Sequence, residues 1–162
     1  LRNIRQPSEK RAFSMKWMLL PFKRYAEFSG RSRRMEYWMF QLLNILVFSL
    51  LFVPLIVDIS LTEGGTGDPF DDFGVLGTIS FALMGAYFLA ALLPGFAVTV
   101  RRFHDIGLTG WAYVGLIVAG ILPIVGFLAS IAVLVITILP GNEGENQYGP
   151  DPKNPFEEDI FG

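Results

Sequence analysis

The chain has 162 residues, 52% of them hydrophobic and 17% charged, and its mean hydropathy of +0.45 is too high for an ordinary soluble domain. The absence of cysteine removes disulfide frameworks, thiolate metal sites and cysteine nucleophiles in one step. The formal net charge of −2 hides a segregation, because Arg2, Arg5, Lys10, Arg11, Lys16, Lys23, Arg24, Arg31, Arg33 and Arg34 all precede the first apolar run.

The first stretch, Leu1 to Lys16, is polar, so no cleavable signal is expected there. Beyond it, Met15, Met18, Leu19, Phe22, Tyr25 and Ala26 recur at helical spacing, with Lys16, Lys23 and Glu27 on the other side. This predicts an N-terminal interfacial helix, broken or started near Pro21, whose apolar residues face either the membrane surface or the protein's own helices.

Tyr37 to Val57 contains no charged residue, and at 1.5 Å of rise per residue it reaches about 30 Å, the thickness of a hydrocarbon core. Arg31, Arg33 and Arg34 lie just outside this run, which marks that end as cytoplasmic. Trp17, Tyr37, Trp38 and Trp111 are the candidate membrane-interface anchors, since amphipathic rings favour the headgroup level. Asp58 to Asp72 carries Asp58, Glu63, Asp68, Asp71 and Asp72 but no Lys or Arg, as expected of an external loop. Phe73 to Val100 is again uncharged and is expected to tilt or to bend at Leu93-Pro94-Gly95 before Arg101 and Arg102.

Ile106 to Asn142 is uncharged, too long for one upright helix and barely enough for two. Pro123 between Gly120 and Gly126 favours a hairpin of two short helices, Trp111 to Leu122 and Phe127 to Leu139; one long kinked helix is the alternative. The expected fold is therefore all-α: a polytopic membrane protein with two long transmembrane helices, a short helical hairpin completing four spans, and the interfacial helix. Residues 1–28 are the basic arm and interfacial helix, 29–152 the membrane domain with spans near 37–57, 73–100, 111–122 and 127–139, and 153–162 an acidic tail.

Polar clusters at 28–38, 101–111 and 140–150 each abut a membrane boundary, and the hairpin topology brings all three to one face. They carry Gly30, Arg31, Arg34, Glu36, Tyr37 and Trp38, then Arg101, Arg102, His104, Asp105, Gly107, Gly110 and Trp111, then Gly144, Asn146, Gly149 and Pro150. With these motifs the sequence, over about residues 15 to 152, closely resembles the bacterial inner-membrane family known as domain of unknown function 805. Leu108 stands where that resemblance leads one to expect a polar or basic residue, and Ala112 where a second aromatic is frequent. The resemblance implies a fold and a location, the bacterial inner membrane, but no chemistry.

Arginines at the edge of an apolar core need partners, and a guanidinium fork suits carboxylates, carbonyls and lipid phosphates alike. Arg31, Arg34, Glu36, Arg101, Arg102, His104, Asp105 and Asn146 are thus expected to form a structural or lipid-binding polar cap, with Arg33 beside them. A single His with no helical ligand spacing argues for a helix-end hydrogen bond rather than a metal or proton-relay site. Residues 141–150 read as a tight loop, since no Lys-Ser/Thr follows for a phosphate cradle. No cofactor, metal or nucleic-acid partner is expected; the lipid bilayer, anionic phospholipids and membrane-protein subunits are.

The favoured function is a non-enzymatic accessory or scaffold subunit of a larger membrane complex, because no charge lies inside any span. A small oligomeric transporter or channel, packed through Gly77, Gly85, Ala86, Ala90 and Ala91, is the alternative, and a membrane enzyme acting on lipid headgroups a third reading. The basic asymmetry makes a direct topology prediction. Reporter fusions after Arg34 and Arg102 are expected to report cytoplasm and a fusion between Gly64 and Gly67 the exterior; an external Arg101-Arg102 segment would overturn it.

Overall fold

The computed structural model of the protein describes residues 7–61 and 73–153, with side chains from Met15 onward. Arg2 and Arg5 of the basic arm, most of the acidic loop (Glu63 to Asp72) and the acidic tail after Lys153 lie outside the described residues.

Those residues form five helices: α1 Pro7–Lys23, α2 Arg34–Leu61, α3 Val75–Asp105, α4 Gly110–Ala119 and α5 Pro123–Ile138. Among them the only strand-like pairing is an isolated bridge between Asn146 and Gly149. By length and composition, α2 and α3 could each cross a membrane. The uncharged run from Tyr37 sets the apolar part of α2, while Glu36 in its first turn favours the positive end of the helix dipole. Pro54 lies inside α2 and Pro94 inside α3, and both helices run on through them.

The end of α3 is set by Gly107, whose φ of +81° is a left-handed conformation that glycine adopts without a Cβ penalty. The Gly107 and Leu108 N–H groups donate to the His104 and Phe103 carbonyls at 3.0 Å, the Schellman arrangement. Leu108 thus contributes its backbone N–H to this turn, a role that does not depend on its side chain.

The last apolar stretch is two helices, with boundaries shifted from those the sequence predicts. Pro123 does not sit at the middle of the turn but opens α5, where a missing N–H costs nothing. The turn is Gly120–Leu122, whose N–H groups bond to Ile117, Val118 and Ala119 carbonyls at 3.0 to 3.2 Å. The chain leaves at Asp105 and comes back to it, since the Asn142 N–H donates to the Asp105 carbonyl at 2.8 Å. With 10 residues, α4 is about 15 Å long, and α5 with 16 about 24 Å, both shorter than a hydrocarbon core.

The N-terminal helix also departs from expectation. Pro21 neither starts nor breaks α1; it lies inside it, buried, and Tyr25 and Ala26 fall past its end. Met15 and Leu19 are exposed, whereas Phe22 packs edge-on against Phe40 at 5.4 Å.

The chain divides into two compact units, Gln41–Leu93 and Leu1–Phe40 with Pro94–Gly162. In the first, α2 and α3 run antiparallel: the Tyr87 hydroxyl donates to Asn44 Oδ1 at 2.8 Å and its ring meets Phe48 at 5.4 Å. In the second, Phe103 and Phe96 of α3 flank the Tyr113 ring of α4 at 5.5 and 6.0 Å.

The α4–α5 turn is tightest at Gly126, where an added Cβ would lie 2.6 Å from the Gly120 carbonyl oxygen, whereas nothing lies within 4 Å of a Cβ at Gly115. Gly126→Ala is therefore expected to lower stability by about 1–3 kcal/mol. Gly115→Ala should be neutral or stabilising by up to about 1 kcal/mol. Thermal unfolding in detergent reads both.

Candidate functional site: a buried arginine cap

The chain between α1 and α2 has no regular secondary structure from Arg31 to Arg33 and is fixed to α3 by the Ser32 N–H, which donates to the Arg101 carbonyl at 3.1 Å. This puts Arg31 beside the last turn of α3, which presents Arg101, Arg102 and Asp105. All four side chains are buried. A charge can be held in such a place only if it is paired and hydrogen-bonded.

Asp105 meets that condition by serving two arginines. Its Oδ1 accepts from Arg31 Nε at 3.0 Å, and its Oδ2 accepts from Arg102 Nη1. Two guanidiniums and one carboxylate leave an excess of donors, which the return loop absorbs through its carbonyls. Arg31 donates to Gly144 O at 2.5 Å, to Gly149 O at 3.3 Å and to Asn142 O.

Arg102 takes the end of α5 in the same way. The last carbonyls of a helix have no partner within it, and α5 has no basic residue in its last turn to cap them. Donors come from elsewhere: Arg102 Nε and Trp38 Nε1 to Thr137 O at 3.3 Å, Arg34 Nη1 to Ile138 O at 3.3 Å, and Arg102 Nη2 to Leu139 O. Positive charge also favours the negative end of the dipole at a helix C-terminus.

A second pair joins α2 to α3: Arg101 Nη2 donates to Glu36 Oε1 at 3.0 Å, with both side chains buried. Arg101 is the least satisfied of the group, since among the described residues its Nε and Nη1 have no hydrogen-bond partner, and Glu27 stands 3.9 Å from Nη1. Glu27 itself is held by Arg24 in two hydrogen bonds of 2.7 and 2.8 Å, which keep its carboxyl below the usual carboxylate range.

His104, past the apolar run that ends at Val100, has its Nδ1 3.1 Å from the Gly30 carbonyl. A carbonyl can only accept, so Nδ1 carries the hydrogen. The His104 ring stacks on Tyr148 with centroids 3.9 Å apart, and Asn146 Nδ2 donates to the His104 carbonyl at 2.9 Å. Among the described residues no group of three or more His, Asp or Glu could hold a metal ion.

The eight sequence-predicted cap residues therefore all lie in one unit, though with unequal roles. Arg31, Glu36, Arg101, Arg102 and Asp105 are buried, His104 and Asn146 half-buried, and Arg34 exposed. Of the aromatic residues, Trp111 is 81% exposed, while Tyr37 is buried against the edge of Trp38 and Trp17 lies under Arg33.

A family described as "Protein of unknown function (DUF805)" matches residues 25–150. The chain belongs to this family. Inner membrane protein YhaI of Escherichia coli (strain K12) is 36% identical over 141 residues, which cover 86% of this chain and 97% of that protein. Inner membrane protein YhaH of the same strain is 35% identical over 139 residues, with 86% and 98% covered. No solved structure matches. All three polar clusters fall within the family's span, whereas the whole of α1 and Lys153 lie outside it.

Sequence reading missed the pairing of Arg33 with the Pro152 carbonyl, the Arg24–Glu27 pair, and Asn142 and Tyr148 as contacts. Of these only Arg24–Glu27 had a local signal, the three-residue spacing of opposite charges.

Asp105→Ala would leave two buried guanidiniums without a carboxylate and is expected to cost about 3–5 kcal/mol. Glu27→Ala breaks a largely exposed pair and should cost at most about 1 kcal/mol. Equal losses in thermal unfolding would contradict this ranking.

Proposed function

We propose that the chain is an integral protein of the bacterial inner membrane, with its N-terminus cytoplasmic, acting as a non-enzymatic accessory or scaffold subunit of a larger membrane complex. The membrane part is supported by the apolar surface of its helices: Leu50, Leu61, Val75 and Leu89 are each at least 70% exposed. So many large apolar side chains left open on two helices mark a lipid- or protein-facing region. The relatives named inner membrane proteins point the same way.

In this reading α2 and α3 span the bilayer, α1 lies along the cytoplasmic surface, and the α4–α5 hairpin enters from that side and returns to it. At about 15 Å, α4 reaches only about half-way through the core by itself, so the hairpin enters the membrane as a pair of short helices.

The observation that carries the scaffold reading is the state of the cap. Asp105, Arg31 and Arg102 are buried and engaged with each other and with carbonyls that close the fold. Groups so engaged hold segments in place, whereas a catalytic or transport site needs ionisable groups free to meet a substrate.

The test is purification of the full chain in mild detergent, with cross-linking and mass spectrometry, followed by reconstitution in vesicles. A second membrane protein is expected at fixed stoichiometry, and the chain alone should pass no ions and turn over no lipid. Ion flux through a homo-oligomer would replace this reading with a channel.

A further inference from the structure

Not every arginine at this end of the fold is used in the cap. Arg33, Arg34 and Lys153 line a cavity of about 490 Å³ together with Met35, Trp38 and Ile138. Among the described residues no carboxylate pairs with any of the three cations. Arg33 spends Nε on the Pro152 carbonyl, and Arg34 spends Nη1 on Ile138 O at 3.3 Å. Each guanidinium has five donor hydrogens, so most remain available.

The rest of the lining is apolar and open: Met35 is 51% exposed, Trp38 39% and Ile138 52%. The cavity therefore joins cations to hydrophobic surface. It also lies where the charged segment ends and the uncharged run from Tyr37 begins. Free phosphate would satisfy the cations and leave the apolar wall unused, and a neutral lipid would do the reverse.

We propose that this groove holds one anionic phospholipid, its phosphate on Arg33, Arg34 and Lys153 and its first acyl carbons along Met35, Trp38 and Ile138. The proposal rests on the membrane reading above. A phosphate oxygen accepts charge-assisted hydrogen bonds from the guanidiniums, and Trp38 supplies the ring that favours the headgroup level. Arg31, Arg101 and Arg102 take no part, being buried in the cap.

The experiment follows thermal unfolding of the full chain in nonionic detergent against added phosphatidylglycerol, phosphatidylcholine or glycerol 3-phosphate. Phosphatidylglycerol alone is expected to raise the melting temperature. In the triple variant Arg33→Gln, Arg34→Gln, Lys153→Gln its apparent affinity should fall on the order of 100-fold, at about fivefold per charge. Arg33→Lys with Arg34→Lys should keep it within a few fold. If the triple variant fails to fold, Lys153→Gln alone, at an exposed position, should still show the fivefold loss.

An equal response to phosphatidylcholine, an equal response to glycerol 3-phosphate, or an unchanged affinity in the variants that fold overturns the proposal. Alkaline carbonate extraction of membranes tests the underlying reading separately. A chain that stays with the membrane but shows no anionic preference sinks the lipid site alone; a chain released by carbonate sinks the membrane reading itself.

Discussion

The Asp105 carboxylate is the constraint on which the surrounding unit depends. It is buried, it accepts from two guanidiniums, and its own backbone carbonyl receives the Asn142 N–H. One residue thereby ties the segment before α2, the end of α3 and the loop after α5. Gly141 follows from the same fact, because a Cβ there would overlap the Asp105 carboxylate. Charge imbalance then does the remaining work: two guanidiniums around one carboxylate must find other acceptors, and those within reach are the carbonyls of the return loop and of the end of α5.

This explains why a helix without a basic residue in its last turn can end where it does. The carbonyls of Thr137, Ile138 and Leu139 would be costly if left unmet near an apolar core, and Arg102, Arg34 and Trp38 meet them from α2 and α3. Capping and tertiary packing are here the same interaction. The hairpin is held at both ends, by the close approach of Gly126 to Gly120 at its turn and by the arginines at its base.

Residues of one type have two fates within a short distance. Arg31, Arg101 and Arg102 are enclosed and engaged by the protein, and Arg33 and Arg34 keep free donors beside an apolar wall. The first set stabilises a fold whose helices expose much apolar surface. The second set is where chemistry from outside the chain can be met.

Several features were determined by the sequence alone: the all-helical class, the two long apolar helices, the break near Pro123 and the grouping of polar residues into three clusters. Each follows from local causes, namely uncharged runs of spanning length, a proline and glycines that interrupt them, and charges confined to the ends. On α1 the apolar residues divide, Phe22 packing on Phe40 while Met15 and Leu19 stay exposed, and periodicity cannot tell which residue takes which side. Likewise only the tertiary structure decided that Asp105 serves both Arg31 and Arg102, that Arg101 takes Glu36, and that Arg33 and Arg34 stay outside the cap. Arg31 is 74 residues from Asp105 and 113 from Gly144. Any guanidinium can satisfy any carboxylate or carbonyl, so the choice among partners belongs to the geometry that delivers them.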